Sequence, residues 1–252
     1  MSRVIEVTRE IEAPVDEVWR ALTEARSLEQ WFAVEARVTP PPDRKLWLSW
    51  GDGSQGEGQI FHWEPNKHFS WGDEVGGVRM ATDYFLEARG ANTVVRVVTS
   101  GFSDDPAWDD DFHMMEGGWA YFMSHLQTWL ERHRGQVRAL ASSREQSELP
   151  KAEAFARLVR ALGFADAPTG AGRFAVTTSE GDRLEGSIVA LNPGVQLGLQ
   201  IDNLNHAMLF VEMEGKKERA KPAVWLSTYG LDEAGSSALA SRMRRLYERA
   251  LR

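Results

Sequence analysis

Between Lys45 and Phe102 the chain reads as five consecutive strand-like runs, and one long amphipathic helix follows them. That order limits the fold more than any other feature. The runs are Lys45–Trp50, Gln59–Trp63, His68–Trp71, Val78–Glu87 and Thr93–Phe102, with turn signals at Asp52-Gly53, Pro65-Asn66, Gly76-Gly77 and Gly90-Ala-Asn92. Connections this short join antiparallel neighbours, so the segment is expected to be a meander. Residues 111–133 then place Met115, Trp119, Phe122, Met123, Leu126, Trp129 and Leu130 on one apolar stripe, as a single long helix would. Upstream, Arg3–Ile11 alternates charged and apolar residues like a half-buried strand. Pro14 opens a helix with Val15, Val18, Trp19 and Leu22 at helical spacing, and Ser27-Leu-Glu-Gln30 has the capping-box form for a second short helix carrying Trp31-Phe32.

The pattern recurs. Residues 135–150 are polar and read as a linker, Ala152–Leu162 is helical, and Gly163 is its cap. Strand-like runs at Arg173–Thr178, Leu184–Leu191, Val195–Ile201, His206–Glu212 and Ala223–Thr228 precede a last helix bearing Leu239, Met243, Leu246, Tyr247 and Ala250 on one face. Thr99-Ser-Gly-Phe102 and Thr228-Tyr-Gly-Leu231 each close the last strand before the last helix and hint at a degenerate internal repeat. The expected organisation is an α+β domain at 1–140 and a smaller α+β domain at 150–252.

Charge and tryptophan follow the same division. Residues 1–140 hold 14 basic and 23 acidic residues against 15 and 14 in the remainder, and nine of the ten tryptophans precede residue 130. A net charge of −8 disfavours nucleic acid as a partner, since neutralising phosphates needs clustered Lys and Arg. The absence of cysteine excludes disulfides, thiol nucleophiles and thiolate zinc sites, and fits a reducing compartment. With no apolar run near 18 residues and no signal-peptide pattern at the N-terminus, a cytoplasmic protein without a membrane span is expected.

Three segments resemble the activator of heat-shock-90 ATPase homologue family, a branch of the START/Bet-v-allergen-like (SRPBCC) helix-grip superfamily. They are Ala13-Pro-Val-Asp-Glu-Val-Trp-Arg-Ala-Leu-Thr23 with Gln30-Trp31-Phe32, Gly58 to Trp71 with Glu64-Pro65, and Ser100-Gly-Phe102 with Gly117-Gly-Trp119. The resemblance spans residues 3–134 and implies a helix-grip fold, a curved antiparallel sheet around a long C-terminal helix, with a cavity between them. The second module would be a truncated repeat of it. Many members carry a histidine before the Ser-Gly-Phe, where this chain has Thr99. The resemblance implies no single activity: related proteins bind lipids, sequester toxins, assist chaperones or catalyse cyclisation.

Motifs for catalysis are weak. Gly51-Asp-Gly-Ser-Gln-Gly56 matches G-x-G-x-x-G, but a strand follows where a dinucleotide site needs a helix N-terminus, so a hairpin connection is expected. Asp109-Asp-Asp111 with His113 and Glu116 could ligate a hard metal, yet acidic residues at a helix start are explained by the macrodipole. His62, His68 and His125 are scattered, and no triad or HExxH is present. Arg242, Arg244, Arg245, Arg249 and Arg252, with Lys216, Lys217, Arg219 and Lys221, form a solvated basic face or a surface for the acidic N-terminal domain.

Nine tryptophans exceed what one core of this size needs, so some are expected to line a cavity. The candidates are Trp50, Trp63, Trp71, Tyr84, Trp119, Phe122 and Met123, with Trp31 near the mouth and Arg79, Asp83 and Arg96 as deeper polar contacts. The expected function is non-catalytic binding of a small hydrophobic or aromatic ligand, such as a lipid or polyketide, with no cofactor, metal or catalytic residue. The alternatives are a co-chaperone-like module acting on a chaperone ATPase, and a cyclase or hydrolase using the same cavity.

Overall fold

The computed structural model describes residues 3–51, 53–75 and 77–252, apart from the side chains of Val75 and Lys216. Asp52 and Gly76, assigned to turns above, lie outside the described residues. The chain divides into two compact units, Met1–Arg134 and Gly135–Arg252.

In the first unit β1 (Arg3–Ile11) leads into α1 (Val15–Thr23) and α2 (Ala25–Trp31). Six strands follow: β2 (Glu35–Thr39), β3 (Lys45–Ser49), β4 (Gln55–Glu64), β5 (His68–Val75), β6 (Val78–Arg89) and β7 (Asn92–Phe102). A 3-10 turn at Pro106–Trp108, capped by Asp105 accepting the Ala107 N–H at 2.9 Å, starts α3 (Asp109–Arg132). The sheet order is β1-β7-β6-β5-β4-β3-β2, all antiparallel, so the first strand closes on the last. Val18, Trp19 and Leu22 of α1 and Trp119, Met123, Leu126 and Leu130 of α3 are buried, with Ile60, Phe69, Tyr84, Val95 and Val97 buried on the sheet. Two local expectations are corrected. Ser27 lies inside α2, which starts from extended Glu24 without a side-chain cap, so the capping box does not form. The strand β2 was not expected, because Glu35-Ala-Arg-Val-Thr39 offers only two apolar residues.

Backbones approach closely in this sheet. A Cβ on Gly72 would lie 1.9 Å from the Met80 carbonyl oxygen, and one on Gly101, at φ +105°, 2.4 Å from that of Arg79. Gly118, in mid-helix on α3, differs: its Cβ would meet nothing within 4 Å.

The second unit repeats this order with one strand and one helix fewer. It comprises β8 (Arg138–Arg144), α4 (Lys151–Ala161), β9 (Gly172–Thr177), β10 (Arg183–Asn192), β11 (Gln196–Ile201), β12 (Ala207–Lys216), β13 (Arg219–Tyr229) and α5 (Glu233–Leu251). The sheet order β8-β13-β12-β11-β10-β9 again pairs first strand with last. Gly101 and Gly230, the glycines of the two matched tetrapeptides, both take positive φ beside the end of the last strand. The segment read as a linker therefore contains β8, whose Arg-Ala-Leu-Ala-Ser-Ser-Arg sequence lacks the β-branched residues that mark a strand. The core is mostly aliphatic: Leu197, Leu199, Leu209, Val211 and Leu226 pack with Phe155, Leu158, Leu239 and Leu246. Asp232 caps α5 by accepting the Gly235 N–H at 2.7 Å. Three arginines of the basic run on α5 are paired within their own unit, Arg242 with Asp182 at 2.9 Å and Arg245 and Arg249 with Glu180 at 2.8 and 2.6 Å.

Glu212 alternates with the core residues Val211 and Met213 and so faces away from α4 and α5. Gln196 stands directly opposite it on β11, the Trp225 indole reaches it at 3.3 Å, and Arg144 of β8 pairs with neighbouring Glu214. Burial first, and the Glu214 charge second, push the Glu212 carboxyl up to about 7, against the pull of Trp225, Arg144 and Gln196.

Gly118→Ala is expected to raise stability by about 0.5–1 kcal/mol, since Ala loses less backbone entropy in a helix. Gly72→Ala is expected to lower it by about 2–4 kcal/mol through the clash. Urea denaturation checks both, and a destabilising Gly118→Ala contradicts the open position. For Glu212, the fold binds a proton up to about pH 7 that the unfolded chain releases above 4.5. Its contribution to stability is therefore fully present below 4.5 and is lost as pH rises through 7. Glu212→Gln should match the wild type near pH 4.5 and exceed it by about 1–3 kcal/mol at pH 8. Parallel profiles would contradict this.

Candidate functional site

The inner face of the N-terminal sheet is aromatic because register places large rings opposite one another. Phe69 of β5 faces Tyr84 of β6, their rings stacked 5.8 Å apart at 19°. Trp71, two residues on, stands opposite Thr82 on the same face. Burial pushes the Tyr84 hydroxyl well above its ordinary range, so it stays protonated at every physiological pH. The Trp71 ring lies over Gly58 of β4, where a Cβ would come 2.9 Å from Cε3, so this glycine is what seats the indole. A bulge in β4 between Ile60 and His62 brings both Ile60 and Trp63 to the inner side. Trp63 meets Trp19 edge-on at 5.3 Å and Phe69 at 5.6 Å.

The helix α3 completes the cluster from above. Trp119 meets Tyr84 edge-on at 5.8 Å and stacks on Phe32 at 5.7 Å and 15°. Phe32 also touches Trp31 at 5.0 Å, Trp50 at 5.6 Å and Phe122 at 4.8 Å, and so connects α2, the β3 end and α3. Sequence reasoning named every outer member of this cluster but not Phe32, Trp19 or Phe69. The signal for Phe32 was its adjacency to Trp31 on the second short helix.

Burial sorts the eight candidates. Trp31 and Met123 are 0% exposed, Tyr84 2% and Trp119 3%, whereas Trp50, Trp63, Trp71 and Phe122 stay partly exposed. Trp31 is thus not near a mouth; its indole donates to the Ala21 carbonyl at 3.0 Å deep in the unit. The Trp50 indole donates to the Phe32 carbonyl at 3.1 Å. Thr99, standing where the resemblance calls for histidine, shares a hydrogen bond of 3.1 Å with Thr82 on the same inner face.

The polar residues expected deeper in lie on the opposite side. Asp83 bonds His68 at 2.8 Å, Arg96 lies over Phe85 and reaches Glu6, and Arg79 lies over Phe61. On this outer face His62 stacks on His68 and His68 on Phe85, at 4.1 and 4.3 Å. Asp109, Asp110 and Asp111 occupy the first turn of α3, and no group of three or more His, Asp or Glu among the described residues could hold a metal. Gly51 and Gly53 take positive φ in the β3–β4 hairpin, and a strand follows them, not a helix. In the second unit, where no site was expected, an apolar cleft of about 500 Å³ lies between β8, β13 and the start of α5. No described helix is long and apolar enough to cross a membrane.

A protein from Mesorhizobium loti with a solved structure is 25% identical, covering 52% of this chain and 98% of its own, with a TM-score of 0.47. DynU16, a putative protein of the dynemicin biosynthetic locus, is 22% identical over 98% of this chain and 96% of its own, at 0.44. The di-domain ARO/CYC protein BexL of the BE-7585A biosynthetic pathway is 15% identical over 99% and 93%, at 0.45. No curated protein matches the chain. Residues 12–131 match the family described as activator of Hsp90 ATPase homolog 1-like protein. The N-terminal unit belongs to that family.

Proposed function

We propose that the N-terminal unit binds a small hydrophobic or aromatic molecule, without covalent chemistry, against Trp31, Trp50, Trp63, Trp71, Tyr84, Trp119, Phe122 and Met123. The observation that carries this reading is the graded burial of one continuous aromatic surface. Trp50, Trp63, Trp71 and Phe122 remain partly exposed beside fully buried Tyr84 and Trp119, although each large ring removed from water stabilises the fold. A flat apolar ligand resting on that surface would cover the exposed part. The paired inner-face residues Phe69, Trp71, Thr82, Tyr84 and Thr99 are uncharged and supply neither a carboxylate nor an imidazole, which weighs against a cyclase or hydrolase there. A cytoplasmic setting agrees with the cysteine-free sequence.

A second reading, contact with a chaperone ATPase, has the family description in its favour. Co-precipitation of a chaperone by the full chain would support it, and ligand-dependent stabilisation would not.

Uncharged lipids, flavonoids and polycyclic aromatics are the probes of choice. Binding should quench tryptophan fluorescence and raise the melting temperature, by about 2.7 kcal/mol of added stability at a ligand concentration of 100 Kd. Trp71→Ala should weaken this binding about tenfold or more, since it removes a partly exposed wall of the aromatic surface. A panel that gives neither quenching nor stabilisation would refute the ligand-binding reading.

A further inference from the structure

The indole Nε1–H of Trp119 is buried and has no acceptor among the described residues. Two neighbouring indoles on the same surface are satisfied: Trp31 donates to Ala21 and Trp50 to Phe32. Native folds rarely leave a buried donor unpaired, and the exceptions call for an explanation. The ring itself is held firmly, stacked on Phe32 and edge-on to Tyr84, so the N–H has a defined place in the cluster. The surrounding inner face offers no counter-charge, and Tyr84 stays protonated. A charged ligand would be desolvated there without compensation, whereas an uncharged acceptor would meet a waiting donor.

We propose that Trp119 Nε1–H is the specificity-determining donor of the N-terminal unit and bonds a carbonyl or ether oxygen of an uncharged, ring-shaped ligand seated against Phe32, Trp71 and Tyr84. This assignment rests on the ligand-binding reading above and adds the chemistry of what is selected.

Fluorenone and fluorene test it, because they share one tricyclic outline and differ by a carbonyl in place of a methylene. Their dissociation constants are measured by calorimetry on the full chain, as wild type, as Trp119→Phe, and with Trp119 replaced by benzothienylalanine, which keeps the fused ring and lacks the N–H. The preference for fluorenone over fluorene should fall about three- to tenfold in both variants, the range of one hydrogen bond. Trp129→Phe is the control. Its indole N–H is also buried without an acceptor among the described residues, but it lies ten residues further along α3, about 15 Å away. It should leave the preference unchanged. Binding of both probes with equal preference in wild type and the benzothienylalanine protein overturns the donor assignment and leaves the ligand reading standing. Binding of neither probe to the wild type overturns both.

Discussion

Pairing of the first strand with the last, β1 with β7 and β8 with β13, is the contact on which each unit depends. It returns the chain to its starting edge, so the helix that follows the last strand is delivered across the same sheet face that the earlier helices cover. The meander between these strands must then pack closely, and glycine sets the limit. Gly72 beside Met80, Gly101 beside Arg79 and Gly186 beside Gln200 each occupy a point where a Cβ would strike a neighbouring carbonyl. Gly58 serves the site itself, since its missing side chain is the space in which the Trp71 indole rests.

The two units fill one topology with different materials. In the second, leucine and valine from the sheet meet leucine and phenylalanine from α4 and α5, and a core made mostly of aliphatic side chains packs closed. In the first, the equivalent face carries indoles and phenyl rings, each removing roughly 150–250 Å² from water when fully covered. Rings are rigid, and their edge-on and stacked contacts around Phe32 fix their mutual angles. A surface of that kind resists collapse into a seamless core, which is why Trp50, Trp71 and Phe122 remain partly open while Trp119 beside them is sealed. The reading of the first unit as the ligand-binding one rests on this contrast.

The element order was legible because strand alternation and the stripe from Trp119 to Leu130 are strong periodic signals, and the runs from Lys45 to Phe102 all became strands. The strands β2 and β8 were missed for a common reason: both lie at sheet edges and are built from small, polar or charged residues, so packing decides their conformation. Which side chains face inward was only partly readable. The bulge at Ile60–His62 changes the alternation of β4, and without that register Arg79, Asp83 and Arg96 could not be placed on the outer face. Glu212 escaped notice because its environment is made by Gln196, Arg144 and Trp225 from three other strands. The unpaired Trp119 N–H was invisible for the same reason, since an absent acceptor is a property of packing alone.

The most direct measurement is a titration of the full chain, labelled with nitrogen-15 at its ten tryptophans, with fluorenone while the indole N–H resonances are followed. The account expects the Trp71 and Trp119 resonances to move together and saturate at one concentration, with that of Trp119 shifting as its proton gains an acceptor, while Trp108 and Trp225 stay in place. Stationary Trp71 and Trp119 resonances at concentrations that shift Trp225 would contradict it, because the ligand would then be held outside the aromatic face of the N-terminal unit.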